Sequence, residues 1–129
     1  MNGSTWPDAE DLLHLLAEWT GHDDGVRDAG ILVAVASRPN AEMLGTVVYT
    51  TVVEQSAALL HSAVAWRPLQ LWNSGLGWGA TYGLLARNGF DLAITPWEQM
   101  MITDEIERGE LDSVGSLADR LTPFLRLRY

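Results

Sequence analysis

The sequence predicts an all-α fold of about five to six helices in one compact domain. Apolar residues recur at helical spacing in most segments, and cap residues and glycines mark helix ends. Only residues 45–53 are rich in the Val, Thr and Tyr residues that favour strands. The 129 residues suffice for one buried core, and no apolar run is long enough to cross a membrane.

Six segments satisfy the helical pattern. They are 8–20, 31–36, 50–65, 95–108, 113–121, and a glycine-rich helix that ends at 87–89. Residues 66–79 are predicted as a loop that runs into the start of this glycine-rich helix. Residues 1–7 are predicted as a frayed leader and 124–129 as a tail, so the domain spans 1–129. The sequence does not decide whether residues 45–53 form a strand or part of a helix.

The clearest helix start is Thr95-Pro96-Trp97-Glu98. Thr95 is a cap residue, Pro96 suits the first helical position, and Glu98 stands three residues after the cap, as in a capping box. The first two helices have cap candidates in Asp8 and Asp28. These residues place helix starts before any tertiary contact is known.

Charge and composition exclude several classes of function. The net charge is −9 and the arginines are spread thinly, so we expect no nucleic-acid partner. The chain has no cysteine, which removes disulfides and thiolate sites. His14 and His22 have no companions at metal-ligand spacing, so we expect no metal. The sequence shows no secretory signal, and we expect a cytoplasmic protein without membrane association.

A tryptophan-rich centre separates two acidic flanks, and three landmarks follow one another within it without gaps. They are AALLHS at 57–62, RPLQLWNSG at 67–75 and NGF at 88–90. In this order the sequence resembles the Fic/Doc superfamily, especially the short death-on-curing toxins. Their AALLHS-like helix leads into a loop HPFxxGN[KR]R and a helix ending in an NG-aromatic turn. The resemblance implies a compact helical fold and transfer of a nucleotide or phosphoryl group to a hydroxyl.

The loop differs from the family pattern at the positions that carry out this transfer in the family. In the family, the histidine is the general base, the glycine and asparagine hold phosphates, and basic residues neutralise their charge. The matching positions here are Arg67, Pro68, Leu69, Trp72, Asn73, Ser74 and Gly75, so only the proline and asparagine are retained. Arginine has no acceptor lone pair and cannot act as a base. We therefore expect nucleotide-dependent transfer to be lost, with no cofactor.

Our leading hypothesis is that the vacated pocket holds an apolar or aromatic small molecule. The protein would be a binder, or a cofactor-free isomerase or cyclase that folds its substrate for a rearrangement or cyclisation. The catalytic candidates are Arg67 and Asn73. The ligand-binding candidates are Gln70, Trp72, Ser74, Trp78 and Tyr82.

Each candidate also has a structural interpretation. Trp72 and Trp78 either line the pocket or fill it. Asn73 can instead stabilise the loop by hydrogen-bonding to the loop backbone. Arg67 can point into solvent. His61 can be a buried histidine whose hydrogen bonds are satisfied within the core. The rival function is a toxin-like interaction module that binds an antitoxin-like peptide or a second copy of the chain. A Fic-type transferase is the third hypothesis.

Overall fold

The computed structural model describes residues 6–21 and 25–128, and within them the all-α prediction is confirmed. The helices are α1 (Ala9–Thr20), α2 (Ala29–Ser37), α3 (Val52–Trp66), α4 (Asn73–Arg87), α5 (Pro96–Glu107) and α6 (Val114–Leu121). Two small antiparallel pairs accompany them. They are β1 (Glu42–Met43) with β2 (Thr46–Val47), and β3 (Phe90–Leu92) with β4 (Leu125–Leu127).

Five of the helices start at residues whose side chains cap them. In each case the cap side chain accepts a hydrogen bond from a backbone N–H of the first turn, which satisfies a donor that has no partner inside the helix. These cap residues are Asp8, Asp28, Thr51, Thr95 and Ser113. The predicted starts at Asp8, Asp28 and Thr95 therefore have their side-chain caps, although Glu98 does not complete a capping box with Thr95.

Helix α3 is the centre of the core. Leu60 and Val64 belong to the part of the core that α5 and α6 complete, whereas Leu59 and Ala63 belong to the part completed by α1 and α2. Helix α4 packs along α3 at short range, since a Cβ at Gly77 would lie 3.1 Å from a methyl carbon of Leu60. The loop between α3 and α4 is thus held on the central helix pair.

The sequence predicts that residues 66–79 are a loop that runs into a glycine-rich helix start, without fixing where the helix begins. In the structure α4 begins at Asn73, so Gly75, Gly77 and Gly79 all belong to the helix. Gly75 and Gly79, with Gly83 further along the helix, repeat every four residues and share one helix face. Tryptophan rings from the N-terminal part lie over this face, Trp19 at Gly79 and Trp6 at Gly83. The glycines provide room for these rings, so they mark a packing surface.

The ambiguous segment 45–53 contains both kinds of structure. A hairpin formed by β1 and β2 turns at Leu44 and Gly45, which both have positive φ, 52° and 79°. Two consecutive residues of positive φ suit a two-residue hairpin turn. Helix α3 follows from Val52, so the strand lies only at the beginning of the segment.

Both chain ends within the described residues are ordered against the domain. Residues 125–127, predicted as part of an irregular tail, form β4, and the N–H of Arg128 donates to the carbonyl of Gly89 at 2.9 Å. At the other end Pro7 is buried, and the Arg87 guanidinium lies 3.8 Å from the centre of the Trp6 ring. The leader residues 1–5, residues 22–24 with His22, and Tyr129 lie outside the described residues.

Candidate functional site

The α3–α4 loop, residues 67–72, is held from inside by Asn73. The Asn73 side-chain oxygen accepts from the N–H of Leu69 at 2.8 Å, and its amide nitrogen donates to the carbonyl of Leu69 at 3.0 Å. Both Leu69 and Asn73 are buried. The Asn73 amide thereby closes the loop on itself, which is the structural role that asparagine often has in turns.

The segment 25–28 holds the same loop from outside. Leu69 forms a β-bridge with Val26, the N–H of Arg27 donates to the carbonyl of Pro68 at 2.8 Å, and the N–H of Gln70 donates to the carbonyl of Gly25 at 2.8 Å. Because backbone bonds hold it on two sides, the loop keeps a defined shape although most family residues are replaced.

Arg27 reinforces this arrangement, and sequence reasoning did not single it out. Its Nε donates to the carbonyl of Arg67 at 2.7 Å and its Nη2 to the carbonyl of Trp66 at 3.0 Å. A cation at this position satisfies carbonyls at the C-terminus of α3, where the helix dipole favours positive charge. Arg27 precedes the loop by about forty residues, so no local sequence pattern indicates this contact.

Arg67, Gln70 and Trp72 point away from the buried side of the loop. All three are exposed, Trp72 to 60%. Arg67 and Trp72 both have left-handed backbones, with φ of 52° and 76°. Within residues 6–21 and 25–128 no hydrogen bond or ion pair engages the Arg67 side chain. These three residues do not fill the loop's interior.

A groove of about 400 Å³ lies between the first half of α4 and α5, and we call it the α4–α5 groove. Its lining residues are Ser74, Gly75, Trp78, Gln99, Met100, Thr103, Asp104 and Glu107. Ser74 and Trp78 are ligand-binding candidates from the sequence, whereas all five α5 residues were missed. The structure does not place Arg67, Gln70, Trp72 or Asn73 in the lining of this groove.

Trp78 connects the two walls of the groove. Its ring is almost buried, and its indole N–H donates to the Thr103 hydroxyl at 2.8 Å, which in turn donates to the carbonyl of Gln99 at 2.8 Å. One turn further along α4, Tyr82 accepts a hydrogen bond from the Gln99 amide. Burial raises the pKa of the Tyr82 phenol. Ser74, Trp78 and Tyr82 thus share the helix face directed at α5.

The charged groups of the groove are carboxylates. Asp104 and Glu107 line it, and Asp104 pairs with Arg108 at 2.9 Å along the helix. None of the lining residues is basic. In the part of the chain that the structure describes, no group of three or more His, Asp or Glu side chains is placed to hold a metal ion. The groove therefore presents negative charge beside an apolar wall.

His61 occupies a separate, buried environment on α3. Its Nδ1 lies 2.9 Å from Nη1 of Arg38, and because arginine only donates, the imidazole nitrogen is the acceptor. Arg38 also lies over the Trp66 ring, 4.8 Å from its centre. Burial and the Arg38 charge lower the pKa of His61, while the carboxylate of Asp112 raises it. These contacts agree with the core role that the sequence indicates for His61.

No described helix is both long and apolar enough to cross a membrane. A scan against protein-family models gives no match. Among curated proteins, the chain is similar to Toxin Doc of Mycolicibacterium smegmatis, with 35% identity over 113 residues that cover 84% of this chain and 87% of the relative. Together with the helical fold, this identity shows that the chain belongs to the Fic/Doc superfamily.

Proposed function

We propose that this Fic/Doc-family protein does not transfer nucleotides or phosphoryl groups, and that its α4–α5 groove binds a small molecule with an apolar or aromatic body. The observation that carries the proposal is the groove itself. It opens beside the start of α4, where the family loop ends, and it combines the Trp78 and Met100 side chains with carboxylates and no basic residue.

The loop supports the loss of transfer. Arg67 stands at the position of the family's general base, is exposed, and has no lone pair with which to accept a proton. Both polar ends of the Asn73 amide bind Leu69 and are not free for a phosphate. Ser74 and Gly75 supply no positive charge. A triphosphate would meet Asp104 and Glu107 in the groove without a compensating cation from its lining.

The groove supports binding of a small molecule. Ligand sites commonly have volumes of about 300–1,000 Å³ and join apolar walls to a few polar groups. Here about 400 Å³ are bounded by Trp78 and Met100, with Gln99 and Thr103 as polar neighbours. A flat aromatic body in the groove would bury apolar surface against Met100 and the small exposed part of Trp78.

The proposed activity is binding of a small molecule, without catalysis. Arg67 and Asn73, the catalytic candidates, do not line the groove, so binding there requires neither. A cofactor-free isomerase or cyclase activity at Arg67 and Asn73 stays a prediction.

A second candidate function, binding of a protein partner, is favoured by exposed apolar residues near the same region. Leu71 and Trp72 in the loop, and Trp97 and Met100 on α5, are exposed to 69%, 60%, 67% and 65%. Exposed apolar side chains in such number are typical of interaction surfaces. The partner would be an antitoxin-like peptide or a second copy of the chain.

Calorimetric titration with tryptophol, a neutral indole alcohol, tests the proposed function. We expect saturable binding, weakened about fivefold by Met100→Ala, because the lost apolar contact is worth roughly 1 kcal/mol. Met43→Ala is the matched control, since Met43 is exposed to 70% on the β1–β2 hairpin outside the groove. Absence of saturable binding would overturn the small-molecule proposal. A dimer in solution that Trp97→Ala dissociates would favour the partner-binding function.

A further inference from the structure

We infer that Asn88 is a latent deamidation site, which the folded structure blocks and which opening of the turn between α4 and β3 releases. The inference concerns a spontaneous covalent modification and does not depend on the proposed function. Asn88 follows the last residue of α4, Gly89 has a φ of 90°, and β3 begins at Phe90. Both Asn88 and Gly89 are exposed, so water has access to them.

The reaction needs only these two residues and water. The backbone nitrogen of Gly89 attacks the side-chain carbonyl carbon of Asn88, Cγ. The proton of the Gly89 N–H passes through solvent to the side-chain nitrogen of Asn88, which leaves as ammonia. Water then opens the five-membered succinimide at either carbonyl, giving aspartate or isoaspartate. A following glycine favours this attack, because it has no Cβ to restrict the backbone.

Hydrogen bonds hold both of the groups that must react. The side-chain nitrogen of Asn88, which would leave, donates to the carbonyl of Leu84 at 2.8 Å. The N–H of Gly89, whose nitrogen would attack, donates to the carbonyl of Ala86 at 3.2 Å. Because ring closure moves both groups, both bonds must break before it can occur.

The backbone of Asn88 also keeps the reacting atoms apart. Its ψ is 15°, so the nitrogen of Gly89 nearly eclipses the backbone nitrogen of Asn88 itself. Cβ, which carries Cγ, is a different substituent of the Asn88 Cα and therefore points away from the Gly89 nitrogen. A five-membered ring needs Cβ and that nitrogen eclipsed, so the backbone must first rotate about ψ.

The β3–β4 pair opposes this rotation. The carbonyl of Gly89 accepts from the N–H of Arg128 at 2.9 Å, and the next residue, Phe90, pairs with Leu127. The peptide plane between Asn88 and Gly89 cannot turn unless these contacts separate. Each strand has three residues, and so small a unit opens at a lower cost than the whole domain. Local opening of the pair is therefore the step that permits deamidation.

The product cannot restore the original turn. A carboxylate at position 88 has no N–H to donate to the Leu84 carbonyl, and isoaspartate adds one carbon to the backbone of the turn. The modification thus makes a transient local opening permanent and weakens the junction between α4 and β3.

Peptide mapping of aged protein by mass spectrometry tests the inference. At mildly alkaline pH, the folded protein should convert Asn88 at least about tenfold more slowly than the same chain unfolded in urea, because the reaction requires the open turn. A folded rate equal to the unfolded rate would overturn the inference. Absence of aspartate and isoaspartate at position 88 in the unfolded chain would overturn it as well.

Two variants of Arg128 test the role of the strand pair. Arg128→Pro removes the N–H that donates to Gly89 and should speed deamidation of the folded protein about fivefold, the usual effect of one lost hydrogen bond. Arg128→Ala is the matched control, because it also loses the 3.6 Å ion pair with Asp91 but keeps the N–H. Its rate should match that of the wild type, since exposed ion pairs contribute little. Equal rates in the two variants would overturn the inference that this pair controls the site.

A measurement on the wild type does not depend on the folding of any variant. Urea at concentrations that leave the domain folded should speed the deamidation of Asn88 and the hydrogen exchange of the Gly89 amide in parallel, because both require the same opening. Faster exchange without faster deamidation would contradict the inference.

Discussion

The indole of Trp19 lies directly against the backbone of Gly79. A Cβ at Gly79 would fall 2.2 Å from two carbons of that ring, far closer than packed atoms approach. Trp19 is on α1 and is 47% exposed, so its ring lies over α4 without being enclosed. This contact joins the N-terminal helix to the helix that forms one wall of the groove, and it explains why α4 has a glycine at this position.

The first prediction concerns this contact. Gly79→Ala should lower the free energy of unfolding by about 1–3 kcal/mol, the usual cost of forcing extra volume into a packed contact. The ring must turn toward solvent to relieve the clash, so tryptophan emission should shift to longer wavelength. Urea unfolding followed by circular dichroism and by fluorescence measures both effects.

Two further variants separate the clash from the intrinsic preference of the helix. With Trp19→Ala already present, Gly79→Ala should stabilise by up to about 1 kcal/mol, because alanine is the better helix former. Gly115→Ala on α6 is the matched control, since nothing lies within 4 Å of the added Cβ, and it should stabilise in the wild-type background. If Gly79→Ala stabilised the wild type as Gly115→Ala does, the packing interpretation would be wrong.

The second prediction concerns Asn73. Asn73→Ala should cost about 1–3 kcal/mol in urea unfolding, because it leaves the buried N–H of Leu69 without an acceptor. Asn73→Asp keeps that acceptor but replaces the donor to the Leu69 carbonyl with a second acceptor in a buried site, so it should also destabilise the protein. Asn88→Ala, which removes a single bond to the Leu84 carbonyl at the exposed end of α4, is the comparison. A loss at Asn73 no larger than at Asn88 would show that the loop does not depend on this amide.

The third prediction is a pH dependence at His61. Burial and Arg38 lower the pKa of His61 in the folded protein below its usual 6.5, so the unfolded chain binds the proton more readily. The stability from neutral His61 is complete above pH 6.5 and falls as the pH drops below it. Stability should therefore decrease between pH 7.5 and 5, within about the range where an ordinary histidine titrates.

His61→Asn isolates this contribution. The asparagine oxygen can replace Nδ1 as the acceptor for Arg38 but does not titrate, so the variant should show a shallower decline. His14→Asn changes a histidine that is exposed on α1 and should keep the wild-type slope. An unchanged slope in His61→Asn would contradict the assignment to Arg38 and burial.

Sequence reasoning found the local features of the fold and missed those that depend on distant contacts. The starts at Asp8, Asp28 and Thr95 were predictable because a cap residue acts within one helical turn. The start of α4 was not, because Gly75 and Gly79 resemble loop residues until the tryptophans that lie over them are known. Strand β4 was also missed, since its partner β3 lies more than thirty residues earlier.

The sequence also predicted one wall of the candidate site and missed the other. Ser74, Trp78 and Tyr82 could be grouped from their spacing on one helix, and they do share the face toward α5. The opposite wall comes from α5, whose Met100, Thr103 and Glu107 carry no motif and lie in a different segment. Because such pairing is decided by tertiary packing, the acidic character of the groove could not be read from the loop alone.

The indole N–H spectrum of nitrogen-15-labelled protein tests the central claim most directly. The Trp78 signal, assigned by its loss in Trp78→Phe, reports on the groove because this N–H lies between the two walls. We expect tryptophol to shift the Trp78 signal saturably, and millimolar Mg-ATP to leave it and the amides of Ser74 and Gly75 in place. Saturable shifts of these signals with Mg-ATP, and none with tryptophol, would contradict the claim that the protein binds an apolar ligand in this groove and no nucleotide.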